Sequence, residues 1–567
     1  MEHIQIDKSI EFLNQKKEEW ARLPITEKIT IIDQILVNLK KHAQEWVDVA
    51  IPHKQIDEKS PLVGEEWAAG IWALAAGLQG YKETLTALSK DKLPKLKKVW
   101  KNSSGKTVVH IFPNNFVESL LFSGISAEVW MQKDVDPENI DKHMASFYRK
   151  KDPTGKVALV LGAGNVNSIP AYDALYRLIA FGHVVLLKMN PVNEYMTPVY
   201  NKIFEPLISA GYLQLITGGV EVGKYVTHHS AVDEIHMTGS ARTHDAIVFG
   251  TGKEGEKNKK NNTPVLTKPI TSELGGVAPL IVIPGKWSEA DIRYQAERVV
   301  TLKLHNNGFN CIAAQVLILP KNWELKDKFL NAIRNVLTNL PPRKPYYPGA
   351  EERKKAALEG HPQAEIFGSN GVSPTLIPNI PPDATDEICY QEEAFCSVLA
   401  QTELPGDTPS DYLKNAVDFC NEKLFGTLGV SILVHPKVIK ELGTELEQAI
   451  DNLKYGSVGI NVWNAIAFLL PQATWGAYPG HTLNDVQSGI GIVHSSFLLE
   501  DTEKTVVYGS FYTFPRGVMH GDFSMLPKPP WFVTNKSALE TNKKVALFTL
   551  DKNALRIPGI FASAMKG

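Results

Sequence analysis

Residues 1–100 carry a helical hydrophobic rhythm. Ile29, Ile32, Ile35, Leu36, Leu39, Ala43 and Trp46 recur at steps of three and four, which lays one apolar stripe along a helix. Thr26 is expected to cap that helix after Pro24, with Glu27 in the first turn, where the helix dipole favours an acid. From residue 155 the rhythm changes. Short β-branched runs occur at Val157–Leu161, Val184–Leu187, Leu213–Ile216 and Asp233–Met237, each followed by enough residues for a helix and its loops. Such alternation predicts βαβ units, a parallel sheet with helices on its faces. A second α/β region is expected from Leu280 to Val430, broken by proline-rich loops at Pro341–Pro348 and Pro378–Pro382. Gly250–Thr263, GTGKEGEKNKKNNT, reads as a lysine-rich, solvated surface loop. The final stretch is rich in Pro, Phe and Trp and contains a β-branched run, Lys544–Leu550.

Each strand of the first region ends in unusual residues. Gly162-Ala163-Gly164-Asn165 follows the first, Lys188 the second, Gly218-Gly219 the third and Thr238-Gly239-Ser240 the fourth. In an open parallel sheet the ligand crevice lies beyond the carboxyl ends of the strands. Four consecutive ends bearing Gly, Lys, Thr and Ser favour a nucleotide site there.

Length and charge narrow the class further. A chain of 567 residues exceeds one compact core, so two or three domains are expected. With 60 basic against 62 acidic side chains, no cationic excess exists to neutralise phosphates, and nucleic acid is not expected as a partner. Cys311, Cys389, Cys396 and Cys420 form no CxxC pair and no zinc-finger spacing with histidine, so no metal is expected. Packed thiols in a reducing compartment fit best. The N-terminus lacks the apolar stretch of a signal peptide, and runs such as Pro279–Ile283 are too short to span a bilayer. A cytoplasmic protein without a membrane partner is the expectation.

Single motifs here are weak, but their order is informative. SELGG (Ser272–Gly276) is followed after 38 residues, counted from Glu273, by the end of NNGFNC at Cys311. Upstream stand HMTGSAR (His236–Arg242), LLKMNP (Leu186–Pro191) and GAGN (Gly162–Asn165), with Asn165 lying 23 residues before Lys188. Downstream stand QEEAF (Gln391–Phe395) and GINVW (Gly459–Trp463). Over roughly residues 20–500 the sequence thereby resembles the aldehyde dehydrogenase superfamily, as a divergent member. The resemblance implies an α/β fold with a Rossmann-like, parallel-sheet cofactor domain and a second α/β catalytic domain. It places the helical N-terminus and cofactor domain in residues 1–273, the catalytic domain in 274–500 and a C-terminal extension, with oligomerisation as its expected role, in 501–567.

The chemistry needs these residue types. Hydride leaves an aldehyde with difficulty while the carbonyl is trigonal. A thiolate at Cys311 would add to the carbonyl and create a tetrahedral oxyanion. The resemblance implies that the Asn165 amide and the Cys311 backbone N–H hold that oxyanion. Glu273 would then activate water to hydrolyse the thioester. NAD or NADP is the implied cofactor. Lys188 would meet its adenine-side ribose, Ser240 with Gly218, Thr238 and Gly239 its pyrophosphate region, and Glu393 the nicotinamide ribose, with Phe395 beside the ring. The implied partners are an aldehyde substrate and a second copy of the chain, in a homodimer or homotetramer. Departures from the family pattern include Pro191 in place of a ribose-gripping glutamate, Phe309 in place of the usual glutamine before the cysteine, and Cys396-Ser397 where Gly-Pro normally follows the QEEAF position. Two alternatives remain at this level: a CoA-acylating member or acyl reductase, and a non-catalytic ligand-binding descendant of the fold.

Overall fold

The computed structural model describes residues 2–368, 373–520, 524–525 and 527–567. Two helices open the chain, Glu2–Arg22 and Ile25–His53. The second buries Ile32, Ile35, Leu36, Leu39, Ala43 and Trp46, with Ile29 half-buried beside them, so the apolar stripe is core. Its start differs from expectation. The helix begins at Ile25, Pro24 stands at the cap position, and no side chain caps it. Thr26 lies inside the first turn, because the fixed φ of proline has already turned the chain.

Among the described residues, six strands make one sheet in the order Gly489–Ile490, Ile270–Leu274, Glu234–Gly239, Val157–Leu161, Val184–Lys188, Leu213–Ile216. The five strands between residues 157 and 274 run parallel, and the short Gly489–Ile490 strand is antiparallel. All four runs read from the sequence are strands. The order reverses direction between Val157–Leu161 and Glu234–Gly239, the topological switch at which such sheets open a crevice. The helix Ile169–Phe181 buries eleven of its thirteen residues, consistent with a layer pressed onto the sheet.

Eleven strands make the second sheet. Its parallel centre runs Thr502–Tyr508, Ser457–Ile460, Gly429–Leu433, Ala278–Val282, Ala314–Pro320, Val398–Leu404, Thr375–Ile380. Antiparallel strands finish both ends, Val99–Lys101, Thr107–Phe112 and Ser126–Met131 on one side and Glu365–Ile366 on the other. The boundaries read at 273 and 500 do not follow these sheets. The upstream strand Ser126–Met131 pairs with Thr502–Tyr508, and the helix Ala538–Asp551 returns to the N-terminal helices. Strand pairing across hundreds of residues leaves no local mark in composition.

Two further readings are corrected. The lysine-rich stretch is a helix, Gly252–Lys260, packed beside Ala241–Phe249 with Lys259 bridging to Asp245 at 2.7 Å. It is mostly exposed as expected, but Lys and Glu are good helix formers and no apolar stripe was needed to fold it. The run Lys544–Leu550 belongs to the helix Ala538–Asp551. No helix among the described residues is long and apolar enough to cross a membrane.

Candidate active site

The cysteine loop follows the helix Glu289–Leu304, which Ser288 and Asp291 start with a reciprocal capping box. Asn306, Asn307 and Gly308 then take left-handed φ values of 53, 57 and 81° in succession. Asn and Gly tolerate that conformation, which explains the NNG tripeptide. A Cβ on Gly308 would sit 2.6 Å from the Cys396 carbonyl oxygen, so the loop is pressed against the Gln391–Phe395 region. Side chains tie it to the end of the first strand. Asn165 Nδ2 donates to the Phe309 carbonyl at 2.9 Å, and Asn306 Nδ2 donates to the Asn165 carbonyl at 3.2 Å. The Tyr346 hydroxyl also reaches the Asn165 carbonyl at 3.0 Å.

Cys311 is half-buried, and its thiol interacts with the Glu273 carboxyl. Glu273 sits on Ile270–Leu274, 2 % exposed, and Trp475 Nε1 donates to its Oε1 at 3.4 Å. Burial raises the Glu273 pKa to about 7. The same burial, with the charges of Glu273 and Glu393, holds the Cys311 thiol well above its ordinary value. Cys389, Cys396 and Cys420 are buried, and burial raises each of them too.

Glu393 joins the same group. Burial, then the charge of Glu273, raises its pKa to about 8, and its Oε1 is buried without a hydrogen-bond partner. Its carboxylate rests on Gly275, where an added Cβ would push it aside. Phe395 takes a left-handed φ of 39° and packs its ring against Tyr347 at 4.9 Å and Phe309 at 5.8 Å.

The remaining residues gather at the carboxyl ends of the first sheet. Lys188 Nζ donates to the Gly218 carbonyl at 2.6 Å, and Gly218 has a φ of 129°. Burial lowers the Lys188 pKa. Gly239 and Ser240 are exposed, and the Ser240 hydroxyl accepts the Thr243 N–H at 3.2 Å, capping Ala241–Phe249. That leaves helix N–H groups and a positive dipole end facing outward, a setting for an anion. Thr238 departs from the sequence reading. Strand alternation turns it inward, where its hydroxyl donates to Asp173 Oδ2 at 2.8 Å. Thr238 pairs with Glu273 in the strand register, so the crevice and the thiol share one wall.

A dinucleotide fits these residues. The helix start at Ser240 and the Lys188–Gly218 contact offer the polar groups at one end, and the unpartnered Glu393 oxygen offers an acceptor for a hydroxyl at the other. Three participants escaped the sequence reading. Trp475 lies in a short strand, Trp475–Gly476, with no motif around it. Asp173 is hidden in a helix, and Lys303 is a buried lysine whose pKa burial lowers to about 8 while Cys396 and Glu393 pull it up. A charged residue on an otherwise buried helix face was the available signal for the last two.

Comparisons with known proteins identify the family. The profile of the Aldehyde dehydrogenase family matches residues 83–476. A D-glyceraldehyde dehydrogenase (NADP(+)) of Picrophilus torridus is 26% identical over 372 residues, 61% of this chain and 66% of that one. A coniferyl aldehyde dehydrogenase of a Pseudomonas species is 26% identical over 345 residues, 55% and 66% of the two chains. The match thus spans just under two thirds of these relatives' lengths. Aminoaldehyde dehydrogenase 2 of Pisum sativum is 22% identical over 492 residues, 81% and 89% of the two. Among solved structures, an aldehyde dehydrogenase of Mycobacterium tuberculosis complexed with NAD+ superposes with a TM-score of 0.59 at 17% identity, covering 89% of this chain and 90% of that one. An NADP-dependent glyceraldehyde-3-phosphate dehydrogenase of Bacillus halodurans gives 0.58 at 17% identity, covering 89% and 91%. This chain belongs to the aldehyde dehydrogenase family.

Proposed function

We propose that the protein oxidises an aldehyde to a carboxylic acid with NAD+ or NADP+, using Cys311 as nucleophile and Glu273 as base. The observation that carries this reading is the thiol of Cys311 in interaction with a buried carboxyl, Glu273, whose pKa burial raises to about 7. A base poised there takes a proton near neutral pH and can return it. Glu273 accepts the thiol proton, and the sulfur adds to the carbonyl carbon. The carbonyl oxygen, now an oxyanion, lies between the Cys311 backbone N–H and the Asn165 amide, of which the Phe309 contact uses only one hydrogen. A nicotinamide cofactor held by Lys188, Gly218, Gly239, Ser240 and Glu393 supplies the hydride acceptor. Glu273 releases that proton to solvent and then takes one from water as that water attacks the thioester; the C–S bond breaks, the Cys311 thiolate leaves and the acid departs. The names of the relatives in Picrophilus, Pseudomonas and Pisum support oxidation of aldehydes, with NADP in the first.

A homodimer or homotetramer in the cytoplasm belongs to the same reading. Its support is the outer edge of Val99–Lys101, which pairs on one side only, and four free cysteines. The test is NAD(P)H absorbance with a panel of aldehydes, with and without CoA. Absorbance that rises without CoA supports the hydrolytic reading. A strict need for CoA, or no turnover with any aldehyde, overturns it.

A further inference from the structure

A cleft beside Trp463 takes one wall from the chain's last forty residues. The cleft encloses about 860 Å³ of atom-free space, part of it open to solvent. Trp72, Phe122 and Trp463 form one side, and Trp531, Phe532 and Phe561 form the other. Trp463 connects it to the chemistry, since its Nε1 donates to the carbonyl of Ile312, the residue after Cys311, at 3.3 Å. Cys311, Phe122, Ile312 and Trp463 all pack in one apolar cluster.

The far wall is fastened firmly. Phe532 stacks on Tyr294 with ring centroids 5.4 Å apart, and Val533 N–H donates to Thr301 at 3.2 Å. Lys528 pairs with Glu297 at 2.7 Å, and Asn542 donates to the Gly64 carbonyl at 3.1 Å.

One charged group stands in the lining. Arg298 borders the cleft and is 3 % exposed. Its NH2 donates to the Ser510 carbonyl at 2.8 Å and to the Tyr294 hydroxyl at 3.2 Å, while NH1 is buried without any partner. Both contacts are neutral. Among the described residues this guanidinium pairs with no carboxylate, a costly arrangement that a bound anion would relieve.

We propose that this cleft holds the distal half of the substrate, which is an aldehyde with an apolar body and a carboxylate at its far end, bound by Arg298. The aromatic walls pack against the body, and the guanidinium hydrogen-bonds the carboxylate. The C-terminal segment is thus a wall of the substrate site. This rests on the activity proposed above, so the test reads binding and turnover separately.

The experiment compares medium-chain ω-oxo carboxylic acids with their methyl esters, which keep the apolar body and remove the charge. Turnover should favour the acid over the ester by about tenfold or more in kcat/KM, the scale of a charge-assisted hydrogen bond. Arg298→Gln should remove that preference, bringing kcat/KM for the acid down to that for the ester. Arg298→Lys, which keeps the charge, checks that a loss is not simply misfolding. Trp531→Ala should lower kcat/KM for acid and ester alike and spare a two-carbon aldehyde. Binding of the matching dicarboxylic acid is followed by tryptophan fluorescence in the Cys311→Ala protein and needs no turnover. Equal use of acid and ester by the parent, or dicarboxylate binding unchanged in Arg298→Gln, overturns the proposal. Dicarboxylate binding that depends on Arg298 with no aldehyde turned over would sink the proposed activity and leave the anion site standing.

Discussion

The Asn165 side-chain amide reaches across 144 residues of sequence to the Phe309 carbonyl, 2.9 Å away and two residues before Cys311. The contact fixes the amide beside the nucleophile before any substrate arrives. Asn165→Ala should therefore lower kcat by about 10²–10³-fold, the scale for one lost oxyanion donor. Steady-state kinetics with a saturating aldehyde checks this. A kcat within fivefold of the parent would remove Asn165 from oxyanion binding.

Cys311 is the half-buried cysteine of the four, the others being fully packed. An alkylating agent should label Cys311 alone in the folded protein, and an aldehyde with cofactor should protect it. Peptide mass mapping reads the site. Cys311→Ala should abolish oxidation and keep nucleotide binding nearly intact. Labelling of Cys389, Cys396 or Cys420 in the native protein would contradict the assignment.

Glu273→Gln should uncouple the two halves of the reaction. An amide cannot take the water's proton, so the thioester accumulates on Cys311. Single-turnover kinetics should show at most one NAD(P)H per active site, then a strongly slowed steady state. The thiol contact means the burst itself is slowed as well. An unchanged steady state, with CoA accelerating the parent, would promote the acylating alternative.

The raised pKa of Glu273 also has a stability signature. Folding favours the protonated carboxyl, whose pKa moves from 4.5 to about 7. The stabilisation is complete below the unfolded value and is lost as pH rises through about 7, while catalysis by the same group grows over that interval. Glu273→Gln has no charge to bury. It should gain stability over the parent between pH 5 and 8, on the order of 2–3 kcal/mol from the size of the shift. Denaturant melts at both pH values decide it; a constant difference would contradict the shift.

Pro191 is exposed beyond the strand that ends in Lys188, and it presents no carboxylate to a 2′-phosphate. NADP should therefore be used measurably as well as NAD. Comparing kcat/KM for the two cofactors tests this. An NAD preference beyond about a hundredfold, roughly 2.7 kcal/mol, would count against it.

Much of this protein is legible without coordinates. The helical stripe at Ile32–Trp46 and the four strands from Val157 to Gly239 follow from local periodicity, because burial of one face imposes a repeat on neighbouring residues. Cys311, Glu273 and Asn165 are recognisable because their motifs recur in order along the chain. Three things required the tertiary structure. The inward turn of Thr238 toward Asp173 depends on which face of its strand is buried, which a four-residue motif does not carry. The pairing of Ser126–Met131 with Thr502–Tyr508 joins segments whose partners are remote, so neither announces the other. The pKa values of Glu273 and Glu393 arise from burial against groups elsewhere in the chain. Periodicity reports what a residue's neighbours in sequence are doing; dielectric surroundings and unpaired donors such as Arg298 NH1 exist only once distant segments have closed around them.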